Sequence, residues 1–509
     1  MNIANFIFDQ STIQPSKTAI IDPKKNQQIT FIEFEKLASK VSNYLASLGV
    51  KKGDRVVLFV KPGIYFPVIT MSLFKMGALP VLIDPGMGLQ SLLKCVEKVK
   101  PQVMIAEKVV HFIKFFKSEF FKTIQHSFTP HSIINKSKLE NDIFKNLSVS
   151  ASDPAAILFT SGGTGTPKGV VTTHEILINQ TQMLKEMFKL TKDDVDMPGF
   201  PLFALFTLSM GMTSIIPRLN PAKPASVDPK KIIPDLLKYK VTFAAGSPAI
   251  WGKVGLYAKE KNQVFKDLKS VVMFGAPVRG EIHEVWESLL LKGTTYTPYG
   301  ATECLPITLT SGLEVLKDTW SLTKQGKGVC VGKVIEGMEV KIFSLKNNIE
   351  ILKSYEVGEI VVSGKTVTPA YFADEVATKE AKFILDDKLH HRMGDVGYLD
   401  QNQQLWFLGR KVHIVHDLFP IEVEGIINTH PLVKKSALVK RHDLPCLVVE
   451  LKTKPKSHEA LKKELLSLVS KYHIVTVDFF SPFPVDVRHN IKIDRIKLGK
   501  MMEKKKGLR

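Results

Sequence analysis

The chain has 509 residues, too many for one hydrophobic core, so two or more domains are expected. Its 44% hydrophobic and 24% charged shares are those of a soluble globular protein and exclude general disorder. The 70 Lys+Arg outnumber the 50 Asp+Glu and leave a net charge of +20, a field that attracts polyphosphate, anionic lipid or nucleic acid. No zinc finger or RNP-type aromatic motif accompanies that charge, so no nucleic-acid partner is expected and a solvated basic surface is its leading explanation. Four cysteines, Cys95, Cys304, Cys330 and Cys446, lack C-x-x-C spacing, which excludes a disulfide framework and fits a reducing, cytoplasmic setting. The start "MNIANFIFDQSTIQPSK" has no secretory pattern.

In chain order, helical spacing over 31–49 is followed by an apolar, β-branched run at 55–60, a helix over 64–77, and runs at 79–84 and 101–106. Further runs stand at 241–246 and 270–275. Strands alternating with helices predict an α/β fold with parallel sheets, in which ligands bind beyond the carboxyl ends of strands. The uncharged segment 197–217, "MPGFPLFALFTLSMGMTSIIP", is nearly long enough to cross a bilayer, but its three prolines favour a buried strand-and-helix wall of an apolar pocket. After about residue 330 the texture changes to short strands and turns. From Lys411 onward a small α+β domain is expected, ending in a basic run, "KLGKMMEKKKGLR", that either extends in solvent or touches a membrane.

The stretch "ILFTSGGTGTPKGVV" (157–171) sets glycines, hydroxyls and one lysine just after an apolar run. It is neither a Walker A loop, because Gly169 follows Lys168, nor a dinucleotide fingerprint, because Lys168 stands where the third glycine belongs. Its physics still suits a polyphosphate: Gly162, Gly163 and Gly165 let backbone N–H groups converge, Thr160, Ser161 and Thr164 add donors, and Lys168 adds charge. Taken alone, a glycine-rich structural turn is the competing explanation.

With "YGATE" (299–303), "HRMGDVGYLD" (391–400), "GRK" (409–411) and "PVDVRHNIKIDR" (484–495) in order behind that loop, the chain resembles the adenylate-forming superfamily of acyl-CoA synthetases, luciferases and peptide-synthetase adenylation domains. The resemblance implies a large N-terminal AMP-binding domain, 1–409, with parallel sheets and a small β-rich subdomain. A small mobile C-terminal domain, 410–509, carries the adenylation lysine. It also implies the reaction: a carboxylate joins AMP from ATP and pyrophosphate leaves, with Mg²⁺ as the metal. Two anions must meet, so placed positive charge matters more than a protein nucleophile. By the same resemblance, the loop at 160–168 handles the β- and γ-phosphates, and Gly275, Ala276 and Pro277 line the nucleotide site. Tyr299 and Gly300 meet adenine, Thr302 the α-phosphate, and Glu303 the metal, for which a carboxylate is a suitable hard ligand. Asp395 accepts from the ribose hydroxyls, Arg410 lies near ribose or phosphate, Lys411 is the hinge, and Lys492 bridges carboxylate and α-phosphate. Singly, Glu303 reads as a loop acid, Asp395 as a Gly-Asp turn and Lys492 as a solvated lysine.

Within the superfamily, "VLIDPGMG", "PLFALFTLSMGMTSIIP", "GVCVGKV" and "INTHPLVKKSALV" look most similar to the β-lactone synthetases of olefin biosynthesis. There a long-chain 3-hydroxy acid is adenylated and its own hydroxyl attacks the acyl carbon. Thioesterification to CoA is the second reading and transfer to a carrier protein the third. Ala204 stands where the family often has histidine, and the loop after Arg410 is shorter than in CoA ligases, which disfavours CoA as cosubstrate. The acyl pocket is expected from "FPLFALFTLSMGM", 200–212, and from 241–254. Besides the fatty or 3-hydroxy acid, the basic surface is expected to meet a membrane, at its inner face, or a partner enzyme.

Overall fold

The structure, a computed structural model, describes residues 1–160, 167–347, 349–485 and 492–504, with the backbone alone described at Pro85 and Thr160. Among these residues the strands form three sheets, of fourteen, seven and three strands.

The seven-stranded sheet runs in the order Ala370–Tyr371, Lys168–Thr173, Pro154–Thr160, Leu79–Ile83, Arg55–Phe59, Val103–Ala106, His126–Phe128. The last five are parallel, as alternation with helices requires. Lys168–Thr173 instead returns antiparallel beside Pro154–Thr160, because the glycine-rich segment joins them without a crossover. Thr30 begins the helix Phe31–Ser47 by accepting from the Glu33 N–H while Glu33 reaches back, a capping box. That helix buries Phe31, Phe34, Ala38, Val41 and Leu45 at helical spacing.

In the large sheet, Thr18–Asp22, Thr213–Ile215, Val195–Pro198, Phe243–Gly246, Ser270–Met273 and Thr294–Ala301 are successive parallel neighbours. Thr294–Ala301 then folds back on Cys304–Ser311, and every later pairing along this sheet among the described residues is antiparallel. The β-rich stretch after residue 330 therefore continues the large sheet while enclosing its own core of Ile307, Val340, Ile342, Ile360 and Leu405. The segment 197–217 is a strand, Val195–Pro198, a buried helix, Phe203–Ser209, and a strand, Thr213–Ile215. No helix among the described residues is long and apolar enough to cross a membrane.

The chain leaves the large sheet at Arg410 and forms the three-stranded sheet, Val433–Arg441, Leu444–Leu451 and Thr476–Phe479, packed on the helices Pro420–Ile427 and His458–Leu468. The basic C-terminal run differs from expectation. Its residues 497–504 are not extended: Arg495–Lys504 is a helix whose Leu498 and Met502, four residues apart, bury against Ala437 and Val439. Only 505–509 of that run lie outside the described residues.

Candidate active site

The six parallel strands of the large sheet have their carboxyl ends on one side. Gly275, Ala276 and Pro277 follow Ser270–Met273 there, with Gly275 in the left-handed region at φ 91°. Tyr299 and Gly300 close Thr294–Ala301, and Thr302 and Glu303 form the turn into Cys304–Ser311, where parallel pairing gives way to antiparallel. A Cβ on Gly300 would stand 2.5 Å from the Cys304 carbonyl oxygen, so only glycine allows this tight return.

Asp395 lies on Lys388–Leu399 directly opposite Arg410 on Gln404–Arg410. Arg410 Nη1 is 3.0 Å from Asp395 Oδ1, and the Tyr299 hydroxyl donates to Asp395 Oδ2 at 2.6 Å. The Asp395 carboxyl is buried. Burial raises its pKa, while Arg410, Tyr299 and the field of Lys492 oppose that rise. Burial, and then Asp395, push the Tyr299 phenol well above its ordinary value, so it stays a donor. Tyr299, expected to lie against adenine, is thus tied by its hydroxyl to the aspartate expected to hold ribose, and its ring packs 6.2 Å from Phe407.

The Tyr371 hydroxyl donates to Glu303 Oε1 at 2.9 Å, and Thr368 donates to the Glu303 carbonyl through both N–H and Oγ1, at 2.9 and 3.0 Å. Tyr371 pairs with Val170, on the strand that begins at Lys168, and Lys168 Nζ stands 4.9 Å from the centre of its ring. The ring meets a second cation: Lys382 Nζ is 5.9 Å away, 3.4 Å from Thr368 Oγ1 and 3.3 Å from His391 Nδ1. Burial pulls the Lys382 ammonium down to about 8. Burial, and then Lys382, hold His391 well below its ordinary value, so that ring is neutral.

A polar cavity of about 300 Å³ is lined by Lys168, Glu359, Glu380, Arg392, Gly394 and Lys411. On one wall the buried Glu359 accepts at Oε2 from Arg392 Nη1 and Lys411 Nζ, both at 3.0 Å. Lys411, the expected hinge, is therefore held to the large sheet. The strands flanking the glycine-rich segment bring Thr160 opposite Lys168. Ser161, Gly162, Gly163, Thr164 and Gly165 lie outside the described residues. Lys492 is exposed beside the helix Arg495–Lys504, close enough for its charge to act on Asp395.

Comparison with known proteins matches residues 7–372 to a family described as AMP-binding enzyme. The chain belongs to the AMP-binding enzyme family. It is 35% identical to an olefin beta-lactone synthetase of Xanthomonas campestris, with 92% of this chain and 90% of that one covered. It is equally 35% identical to the olefin beta-lactone synthetase of Stenotrophomonas maltophilia, covering 89% and 88%. A 2-succinylbenzoate–CoA ligase of Bacillus cytotoxicus is 25% identical over 94% of each chain. Among solved structures, ATP-bound MatB from Rhodopseudomonas palustris superposes with a TM-score of 0.81 at 21% identity over 99% of each chain, a likeness of fold. As an AMP-binding enzyme, the protein is an adenylate-forming ligase that uses ATP and takes a small-molecule acid.

For this AMP-binding enzyme, sequence reasoning missed Tyr371, Lys382 and Glu359. Tyr371 and Glu359 lie tens of residues from Glu303 and Lys411, Lys382 stands nine before His391, and none carries a local spacing signal; Arg392 lies inside the motif 391–400 without an expected role. Among the described residues, no three or more His, Cys, Asp or Glu are grouped to hold a metal ion. Mg²⁺ needs no such group, since it is commonly held by one or two carboxylates with waters and substrate phosphates. Glu303 fits that demand: Tyr371 engages Oε1, and no hydrogen bond to Oε2 is made among the described residues. The stretch 241–254 contributes mainly core, with Ile250, Trp251 and Val254 buried in one cluster. A narrow apolar pocket of about 10 Å³ is lined by Phe66, Pro67, Gly199, Pro201, Ala204 and Ile216.

Proposed function

We propose that the protein activates a long-chain 3-hydroxy fatty acid and closes it to a β-lactone. The observation that carries this reading is 35% identity over about nine-tenths of the chain to two olefin beta-lactone synthetases, against 26% and below for the CoA ligases compared. A carboxylate oxygen attacks the α-phosphorus of ATP, the bond from that phosphorus to the β-phosphate oxygen breaks, and pyrophosphate leaves. The 3-hydroxyl oxygen then attacks the acyl carbon, the acyl–phosphate bond breaks, AMP departs with its electron pair, and the hydroxyl proton passes to solvent. Because this nucleophile is tethered, good alignment replaces about 7 kcal/mol or more of association cost.

In this reading the division falls at 409/410, and Lys492, from the smaller unit, neutralises charge between carboxylate and α-phosphate. Lys168 and the glycine-rich segment 160–165 take the β- and γ-phosphates. Asp395, with Arg410, accepts from ribose; for this the Tyr299 hydroxyl exchanges partner or shares the carboxylate while its ring meets adenine. Gly275, Ala276, Pro277 and Gly300 border the nucleotide, and Thr302 meets the α-phosphate. Glu303, steadied by Tyr371 and Thr368, would hold Mg²⁺, which supplies charge neutralisation for the phosphates when bound. The apolar lining beside Ala204 marks where alkyl chain enters, once the narrow pocket there widens. The same reading includes peripheral association with an anionic membrane through the basic surface, where lipid-like acids collect.

Mass spectrometry of products from ATP with a 3-hydroxy acid and with its 3-deoxy counterpart, each with and without CoA, tests the assignment. The lactone, formed without regard to CoA, and bound acyl-AMP from the deoxy acid are the expected products. CoA-stimulated acyl-CoA from the plain acid would overturn lactone closure in favour of a CoA ligase.

A further inference from the structure

The helix Lys108–Phe116 follows the strand Val103–Ala106 of the seven-stranded sheet and is anchored through Val110 and Ile113. Its outward side should be polar on a surface helix. It is the reverse: Val109, Phe112, Phe115 and Phe116 are 62%, 65%, 78% and 62% exposed. The rings brace one another, with Phe116 4.7 Å from Phe112 and 5.3 Å from Phe115, both edge to face, so the aromatics form a contiguous patch. Lys108, Lys117 and Lys122 are exposed around it, with Lys114 half-buried on the same helix. Of the two acids in this stretch, Glu107 is engaged by Lys61 at 3.7 Å and Glu119 is exposed.

We propose that this aromatic and basic face seats the protein on an anionic lipid surface. The proposal deepens, and rests on, the peripheral association proposed above. Phenylalanines beside lysines are the composition of a helix that lies in the headgroup region, rings toward the acyl chains and ammonium groups among lipid phosphates. Nine residues are far too few to span a bilayer, so the helix lies in the plane. Charge decides against a second copy of this chain as occupant. Self-pairing would press the lysines of this face against their own counterparts on a molecule of net charge +20, whereas anionic lipid satisfies rings and lysines together.

Co-sedimentation with vesicles of phosphatidylcholine alone, or of phosphatidylcholine and phosphatidylglycerol in equal parts, tests the surface. The wild-type chain should bind the anionic vesicles at least about tenfold more tightly and lose most of that preference in high salt. The variant Phe112→Ser/Phe115→Ser/Phe116→Ser should lose at least about tenfold in binding, while pyrophosphate release with dispersed acid stays at the wild-type rate and reports that the fold is intact. Lys108→Glu/Lys117→Glu/Lys122→Glu, which leaves the rings in place, should abolish the preference for phosphatidylglycerol. Wild-type chain that sediments with neither vesicle would overturn peripheral association altogether. Anionic binding left intact in both variants would leave that association standing and overturn its assignment to this helix. A wild-type dimer that the serine variant dissolves, seen by sedimentation equilibrium, would overturn the lipid assignment in favour of self-association.

Discussion

Tyr371→Phe isolates one oxygen at the centre of the site. The ring remains over Lys168, 4.9 Å from its Nζ, and beside Lys382, so the cation contacts persist while the 2.9 Å hydrogen bond to Glu303 is lost. A hydrogen bond to a charged group is worth about 1.5–3 kcal/mol. Glu303 is only partly buried, so water replaces some of that interaction and the lower end applies, about 1.5 kcal/mol or roughly tenfold. The loss should fall on the carboxylate assigned to Mg²⁺. Pyrophosphate release measured against magnesium at fixed ATP should show half-saturation raised roughly tenfold, with the maximal rate recovered in large part at high magnesium. Thermal stability should fall by no more than about the same 1.5 kcal/mol, because the freed carboxylate oxygen can be hydrated. An unchanged magnesium dependence, or a rate defect that no magnesium concentration relieves, would refute the link from Tyr371 through Glu303 to the metal.

Lys492→Ala should slow adenylation at least about a hundredfold while ATP binding, followed by calorimetry, persists; near-normal pyrophosphate release would remove the lysine from the reaction. Asp395→Asn should raise the KM for ATP about tenfold through weakened ribose contacts, without a matching change for the acid; an effect confined to the acid would contradict the ribose assignment. Lys382→Met should alter stability in a pH-dependent way. The unfolded lysine keeps its proton up to its ordinary 10.5 and the buried one releases it near 8, so between these values the unfolded state binds more protons and wild-type stability rises with pH. The cost of burying the charge, about 3 kcal/mol, is fully present below about 8, so the melting-temperature difference in favour of the variant should shrink from pH 7 to pH 10. A constant difference over that range would show that Lys382 is not a buried cation in the native state.

The sequence by itself determined the local order and the chemistry that local spacing encodes. Strands at 55–60, 79–84, 101–106, 241–246 and 270–275 fall within a residue or two of the observed Arg55–Phe59, Leu79–Ile83, Val103–Ala106, Phe243–Gly246 and Ser270–Met273, because β-branched runs between glycines and prolines are a short-range signal. Tertiary structure decided what depends on distant partners. Whether the 495–504 run extends or docks turns on Leu498 and Met502 finding Ala437 and Val439, about sixty residues earlier. Which residues steady Glu303 turns on a strand, Ala370–Tyr371, pairing beside the glycine-rich segment two hundred residues before it. The same holds for Asp395, whose sequence marks a turn but whose place opposite Arg410 and under the Tyr299 hydroxyl comes from sheet register. Burial and charge act through space. A carboxylate's partners, and so its proton affinity, are set by whichever strands the fold lays side by side.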